Sequence, residues 1–231
     1  MSGSRDLFGN IGAFFAKRGI WTIIADYRLA PEATYPSPVK DVRDAIKFTL
    51  ASPDVDLKGS GADMNRVFIF GHSAGGAHAT TLFLDEDIMT EQDRSLINGL
   101  IILSGMYGST PHLVLYYGEP VEEMDRKCPL GLLNSKSSEK VCSNSIHNPT
   151  ANNTYQVAHL FPKKLYLMDC ERDDPGFVVW NQTFCDALRD KGVTAYDTYT
   201  LMGHNHISPE VSLFSGEGEE WGEEVARWIK A

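Results

Sequence analysis

One short stretch constrains this chain more than any other, because it joins an apolar strand pattern to a helix pattern through a glycine-flanked serine. Residues 66–76 read Arg-Val-Phe-Ile-Phe-Gly-His-Ser-Ala-Gly-Gly. Gly71 and Gly75 predict a sharp turn that a larger side chain would crowd, and in which Ser73 is held strained with its hydroxyl outward. A G-x-S-x-G pattern between a strand and a helix is typical of a serine nucleophile. An ordinary serine in a glycine-rich turn is the alternative.

Helix and strand patterns alternate along the chain, which predicts a mostly parallel sheet flanked by helices. Apolar residues at helical spacing predict helices over residues 7–17, 39–50, 74–84, 177–191 and 219–230. Short apolar runs predict strands over residues 21–25, 67–70, 100–103, 164–168 and 195–201. The 231 residues suffice for one α/β domain and require no second.

The pattern is poor between residues 105 and 161, where Pro, Gly and polar residues dominate. A long irregular segment inside a compact domain is usually functional or disordered. We interpret it as an insertion near the site, either a cap over the substrate or a surface excursion without a role. Cys128 and Cys142 lie in this segment and can pair in a disulfide, whereas Cys170 and Cys185 fit buried thiols better.

Composition and charge narrow the classes of partner. The formal net charge of −10 argues against nucleic acid or an anionic membrane as the main partner. No apolar run approaches the roughly 20 residues of a membrane span. The first residues lack the apolar core of a signal peptide, which slightly favours the cytoplasm but leaves the compartment open. The cysteine spacing matches no zinc pattern, so no metal is predicted, and the oligomeric state stays open.

A nucleophilic serine needs a base, and the base needs an orienting acid. After a nucleophile of this kind the chain order is Ser, then Asp or Glu, then His. The acid is therefore expected after the strand at residues 164–168, where several carboxylates follow. Asp173 lies just past the strand end and is our first choice, with Asp174 and Asp169 as alternatives.

The histidine is expected in a loop after the last strand. Residues 201–208 read Leu-Met-Gly-His-Asn-His-Ile-Ser and contain two candidates. We choose His206, because Ile207 beside it can anchor the loop while the imidazole faces Ser73. His204 is the alternative.

Three segments together resemble the α/β-hydrolase superfamily. They are residues 26–32 (Asp-Tyr-Arg-Leu-Ala-Pro-Glu), 71–76 (Gly-His-Ser-Ala-Gly-Gly) and 203–206 (Gly-His-Asn-His). Within it, the chain is similar to the esterase/lipase branch, which includes hormone-sensitive-lipase-like, feruloyl-esterase-like and kynurenine-formamidase-like proteins. The resemblance covers nearly the whole chain.

The resemblance implies a role for each site residue. Ser73, Asp173 and His206 would form a catalytic triad, and the backbone amide of Ala74 would be one oxyanion donor. Asp26 and Arg28 would brace the site without reacting. The resemblance also implies that no metal or organic cofactor is needed.

One departure from the family pattern concerns the oxyanion site. The family's His-Gly-Gly-Gly segment, which supplies further oxyanion donors, does not occur in this sequence. The fold's N-terminal strands are therefore expected to be absent, including the one between the strands at 21–25 and 67–70. Those two strands would then either pair directly or leave backbone groups unpaired. We expect weak activity, because losing one donor costs about 3–4 kcal/mol, and a native start upstream of Met1 is a hypothesis.

The leading interpretation is a serine hydrolase that acts on small-molecule carboxylic esters through an acyl-enzyme. An arylformamidase-like amidase is the close alternative, since the pocket that selects the acyl group cannot be deduced from the sequence. A non-catalytic hydrolase-like module is the alternative from another class, favoured by the missing oxyanion segment and opposed by the retained Ser, Asp and His.

Overall fold

A computed structural model describes residues 4–52, 55, 57, 59–118, 120–136 and 157–231. In these residues four parallel strands form one sheet in the order β1-β2-β3-β4. The strands are β1 (Phe68–His72), β2 (Gly99–Leu103), β3 (Lys164–Arg172) and β4 (Asp197–Asn205). The predicted parallel sheet is confirmed, because the intervening crossovers carry helices as parallel pairing requires.

The helices lie before, between and after the strands. They are α1 (Gly9–Ala16), α2 (Ser37–Ala51), α3 (Ser73–Leu84), α4 (Glu91–Arg94), α5 (Val114–Tyr117), α6 (Val121–Lys127), α7 (Pro129–Ser135), α8 (Pro175–Asp190), α9 (Ser208–Ser212) and α10 (Glu220–Lys230). Short 3-10 helices span Arg5–Leu7, Pro111–Leu113 and Ala158–Leu160. Within the part of the chain that the structure describes, no helix has the length and apolar character needed to cross a bilayer.

Each face of the sheet has its own apolar core, because successive strand residues point to opposite faces. On one face, Leu100 and Ile102 of β2 pack with residues of α2, α3 and α8, among them Phe83. On the other face, Ile101 of β2 packs with residues of α1 and α10, among them Trp221. The helices therefore flank the sheet on both sides and bury its centre.

The strand predicted over residues 21–25 does not form. The segment has no assigned helix or strand, and among the described strands β1 pairs only with β2. Trp21 and Ile23 are exposed, whereas Ile24 packs against α1 close to Gly12. The residues fit a strand, but a strand also needs a neighbour to pair its backbone groups. Of the two alternatives left open by the sequence, direct pairing with the strand before Ser73 does not occur among the described residues.

In the segment between residues 105 and 161, the described residues 105–118, 120–136 and 157–161 are more regular than the sequence pattern indicates. It contains α5, α6 and α7, which are too short for a helical period to stand out. Tyr116 and Met124 belong to a small third core that also includes Ala30. Cys142 lies outside the described residues, so its pairing with the buried Cys128 stays a prediction.

Candidate active site

Ser73 directly follows β1 and is the first residue of α3, where the backbone makes a strained turn. Its φ of 53° lies in the left-handed region, which is uncommon for a residue other than glycine. A Cβ atom on Gly71 would lie 2.6 Å from the carbonyl oxygen of Gly75, so the predicted crowding at Gly71 is confirmed. The prediction for Gly75 is wrong, because a Cβ there would meet no described atom within 4 Å. The second crowded position is Gly76 instead, where a Cβ would lie 2.9 Å from the Ile102 side chain.

The structure brings Ser73, His206 and Asp173 into one chain of hydrogen bonds. The Ser73 hydroxyl lies 2.9 Å from His206 Nε2, and His206 Nδ1 lies 2.9 Å from Asp173 Oδ1. Since an ionised carboxylate only accepts, Nδ1–H donates to Asp173 and leaves Nε2 to accept from Ser73. The serine follows β1 and begins α3, the acid follows β3 and the histidine follows β4, so all three lie at the carboxyl ends of parallel strands.

Asp173 is fully buried as a side chain and accepts three hydrogen bonds. Besides His206, the donors are the Ser104 hydroxyl at 2.6 Å and the Cys170 amide at 2.9 Å, both to Oδ2. Burial alone would raise the pKa of Asp173, but these hydrogen bonds outweigh it and lower the pKa below its usual value. The carboxylate therefore stays ionised where it orients the imidazole.

Ser104 was not found by sequence reasoning. It follows β2 directly, is buried, and has a φ of 47°. A non-glycine residue held in this region indicates a constrained site. The only signal in the sequence is a serine at the end of a predicted strand, which does not indicate contact with the acid.

The alternative candidates have other partners. Asp174 caps the N-terminus of α8 by accepting from the Gly176 amide at 2.9 Å, and Asp169 accepts from Asn181 at 2.9 Å. His204 is buried and contacts the Ser208 hydroxyl through Nδ1 at 2.9 Å. The geometry therefore favours the first choices at both positions.

The oxyanion position depends on the start of α3. Ala74 lies in the first turn of this helix, where backbone amides have no acceptor within the helix and the helix dipole favours negative charge. The Ser73 carbonyl accepts from the Met106 amide at 3.2 Å, which ties this turn to the segment after β2. An anion formed at a carbonyl attacked by Ser73 would therefore meet the Ala74 amide.

Two rings contact the imidazole of His206. The Phe177 ring lies 4.0 Å away and the His72 ring 4.7 Å away, measured between centroids. His72 in turn hydrogen-bonds Glu210 in α9 at 2.7 Å. Neither Phe177 nor Glu210 has a sequence signature, because many residue types can pack against a histidine.

A narrow cavity opens beside Ala74. Its lining residues are Ala74, Ala77, His78, Met106, Leu113, Tyr116 and Tyr117, and the volume open to the centre of a water molecule is about 10 Å³. The space holds about one water molecule. Burial lowers the pKa of His78 to about 4, so His78 is neutral at pH 7, with the Tyr116 hydroxyl 3.1 Å from its Nδ1.

The charged residues expected to brace the site form two separate pairs. Arg28 makes a two-pronged contact with Asp41 of α2, and Asp26 pairs with Arg5. Asp26 and Arg28 therefore connect the segment before α2 to its neighbours, rather than pairing with each other beside a buried strand. Among the described residues, no cluster of His, Cys, Asp and Glu side chains could hold a metal ion.

Comparison with known proteins gives the class to which this fold and site belong. A family model described as alpha/beta hydrolase fold matches residues 11–207. The chain therefore belongs to the alpha/beta hydrolase family. The solved esterase of Pyrobaculum calidifontis superposes with a TM-score of 0.70 at 17% identity, over 99% of this chain and 71% of that one. At this identity the likeness shows the fold, which confirms the predicted α/β-hydrolase architecture.

Curated relatives place the chain within that family more closely. Kynurenine formamidase of Drosophila melanogaster is 24% identical over 192 residues, which is 83% of this chain and 57% of that protein. 2-hydroxyisoflavanone dehydratase of Glycyrrhiza echinata is 26% identical over 218 residues, or 89% of this chain and 60% of that protein. The resemblance to the esterase/lipase branch is confirmed. The chain spans less than two thirds of the length of these relatives.

Proposed function

We propose that this chain is a serine hydrolase that cleaves carboxylic esters of small molecules through an acyl-enzyme. The observation that carries the proposal is the hydrogen-bonded chain from the Ser73 hydroxyl through His206 to the buried Asp173. A serine, a base and an orienting acid in this contact are the elements of nucleophilic acyl transfer. The membership of the alpha/beta hydrolase family supports the same reaction class.

In the proposed reaction Ser73 Oγ attacks the ester carbonyl while His206 Nε2 takes its proton. Asp173 stabilises the imidazolium through Nδ1, and the Ala74 amide binds the oxygen that becomes negative. The intermediate collapses when His206 returns the proton to the leaving alcohol. Water, activated by His206, then releases the acid and restores Ser73.

The start of α3 supplies the oxyanion donor in this proposal, and the family's His-Gly-Gly-Gly donors have no counterpart in the sequence. Losing one oxyanion donor costs about 3–4 kcal/mol of transition-state stabilisation, or about a hundred- to thousandfold in rate. The proposed reaction therefore depends on the Ala74 amide as well as on the activation of Ser73.

An activated amide is the second candidate substrate. One curated relative is a kynurenine formamidase, which makes a formyl group on an arylamine the corresponding candidate. Neither Ser73 nor His206 lines the cavity beside Ala74, so the cavity does not decide between this amide and an aryl acetate. The two substrate classes must therefore be compared directly.

The test combines covalent labelling with a substrate panel. A fluorophosphonate probe is expected to label Ser73, and His206→Ala is expected to abolish labelling. His204→Ala is the matched control, since His204 contacts Ser208 instead of Ser73, and it should label like the wild type. Turnover is then compared between aryl acetates, aryl butyrates and aryl formamides.

The outcomes separate the candidate functions. Labelling at Ser73 with faster acetate than formamide turnover supports the esterase, and the reverse order supports the amidase. No labelling of the wild type, or equal labelling in His206→Ala, would overturn the proposal and favour the non-catalytic module.

A further inference from the structure

A second histidine–carboxylate pair lies beside His206. His72 Nδ1 is 2.7 Å from Glu210 Oε1, and the His72 ring is tilted by 43° over the His206 ring at 4.7 Å. His72 ends β1 and directly precedes Ser73, whereas Glu210 lies in α9, which follows His206. The pair therefore links the two segments that carry the proposed nucleophile and base.

The position of Glu210 is fixed from outside the helix that carries it. The Asn10 side chain of α1 donates to the carbonyl oxygen of Glu210 at 2.8 Å and to that of Leu213 at 3.2 Å. These two bonds hold the second half of α9 against α1. The carboxylate of Glu210 is thus presented to His72 from an anchored backbone, which reduces the entropy lost on forming the contact.

Burial and hydrogen bonding indicate which protons the pair carries. The His72 side chain is only 8% exposed, and its Nε2 is buried without a hydrogen-bond partner among the described residues. Because Glu210 only accepts, the His72 proton is on Nδ1. A second proton on Nε2 would be a charged donor buried without an acceptor, which is unfavourable. The pair therefore has a net negative charge.

We propose that Glu210 and His72 are positioning residues that stabilise the protonated form of His206. His72 limits the tilt of the His206 ring, and the charge of Glu210 opposes the positive charge that His206 gains when it takes the Ser73 proton. The inference rests on the proposed role of His206 as the base. It adds a second carboxylate to the one that Asp173 supplies.

Among the described residues, four further side chains contact or face His206, His72 and Glu210, and only one of them is charged. Asp173 contacts His206 Nδ1, Ser73 contacts Nε2, and the uncharged Phe177 ring packs on the imidazole. Tyr27 faces Glu210, and burial together with the Glu210 charge raises its pKa, so it stays neutral. The charges near His206 among these groups are therefore both negative.

The test replaces Glu210 by glutamine, whose side-chain oxygen can still accept from His72 Nδ1. Removing a carboxylate that acts through one intervening ring should move the acidic limb of the kcat/KM profile down by about half to one pH unit. The kcat should fall about three- to tenfold with little change in KM, because the lost interaction forms in the transition state. Glu210→Asp keeps the charge, so its acidic limb should lie close to the wild-type pH.

A second readout does not need turnover. The His206 ring-proton resonance, assigned by its loss in His206→Asn, can be titrated by NMR in the wild type and in Glu210→Gln. Its midpoint should fall by the same amount as the kinetic limb. Glu217→Gln is the matched control, since it removes the same charge from an exposed loop and should leave the midpoint unchanged.

The outcomes decide the inference separately from the proposed function. If the midpoint of the His206 titration is unchanged or rises in Glu210→Gln, the inference is overturned, even in an active enzyme. A midpoint that falls in a protein whose Ser73 is not labelled supports the electrostatic coupling while the proposed function fails. If the glutamine variant does not fold, Glu210→Leu removes the same charge with apolar packing and must give the same fall.

Discussion

Removing the Ser104 hydroxyl tests how the buried acid is held in its ionised form. Ser104 donates to Asp173 Oδ2 at 2.6 Å, and both side chains are buried, so solvent does not replace the lost bond. A hydrogen bond to a charged group contributes about 1.5–3 kcal/mol. At 1.36 kcal/mol for each pKa unit, Ser104→Ala should raise the pKa of Asp173 by about 1–2 units.

The sign of the effect on stability follows from the direction of this shift. The pKa of Asp173 is lowered in the folded protein. The ionised acid therefore stabilises the fold at pH values above its unfolded pKa, and this stabilisation is lost as the pH falls through the folded pKa. Ser104→Ala should lower the unfolding free energy at pH 7 by about 1.5–3 kcal/mol. The difference from wild type should shrink as the pH falls through the lowered folded pKa of Asp173, because the protonated acid no longer makes the charged hydrogen bond. Urea unfolding at pH 7 and at a series of acidic pH values measures it.

The acidic limb of the kcat/KM profile should move in the opposite direction to that expected for Glu210→Gln. A more basic Asp173 binds the protonated imidazole more tightly, so the acidic limb of kcat/KM should move up in Ser104→Ala. At pH 8 the carboxylate is still ionised, and we expect a loss of about three- to tenfold from poorer orientation of His206.

Two further variants separate the hydroxyl from the backbone. Ser104→Gly also loses the hydroxyl but relieves the strain of a φ of 47°, so it should regain up to about 1 kcal/mol of stability with the same kinetic defect. Ser95→Ala, at an exposed position, is the control. If Ala and Gly variants keep the wild-type limb and rate, the hydrogen bond does not tune Asp173 and the reasoning fails.

Two other predictions concern packing and pH. Gly76→Ala should destabilise the fold by about 1–3 kcal/mol, because its Cβ would lie 2.9 Å from Ile102. Gly75→Ala meets open space and should be tolerated, and thermal melts of both variants check this. His78 has a pKa of about 4 in the fold and near 6.5 when unfolded, so the unfolded state binds more protons between these values and stability should fall by up to about 3 kcal/mol from pH 7 to 4. His78→Gln should flatten that dependence in urea titrations, and an unchanged slope would contradict it.

The candidate triad could be proposed from the sequence because the chemistry of acyl transfer restricts the residue types. A nucleophile turn needs glycines and a serine, and the parallel strand order then says where the acid and histidine should follow. The choice of Asp173 over Asp174 rested on distance from the strand end, and the structure brings Asp173 to His206 while Asp174 caps α8. Local pattern was sufficient here, because each candidate lies within a few residues of a well-defined strand.

The strand predicted at residues 21–25 does not form, and the reason cannot be deduced from the local sequence. Its residues form the short apolar run Trp-Thr-Ile-Ile-Ala, and in the structure Trp21 and Ile23 are exposed while Ile24 is half-buried. What is missing is a partner, since ladder hydrogen bonds depend on a second segment distant in sequence. The apolar run therefore predicted a strand where no described strand pairs with it.

The residues around the catalytic candidates left no trace in the sequence because several residue types could serve in each place. Three of these residues reach the site from different elements, Phe177 from α8, Ser104 from the end of β2 and Glu210 from α9. Their contacts depend on how the segments after β2, β3 and β4 pack against one sheet. Any donor could satisfy Asp173, and any ring could pack on His206. The candidate triad is thus restricted by chemistry that the sequence displays. Its electrostatic environment is set by packing, so the proposed activity depends on residues that no motif identifies.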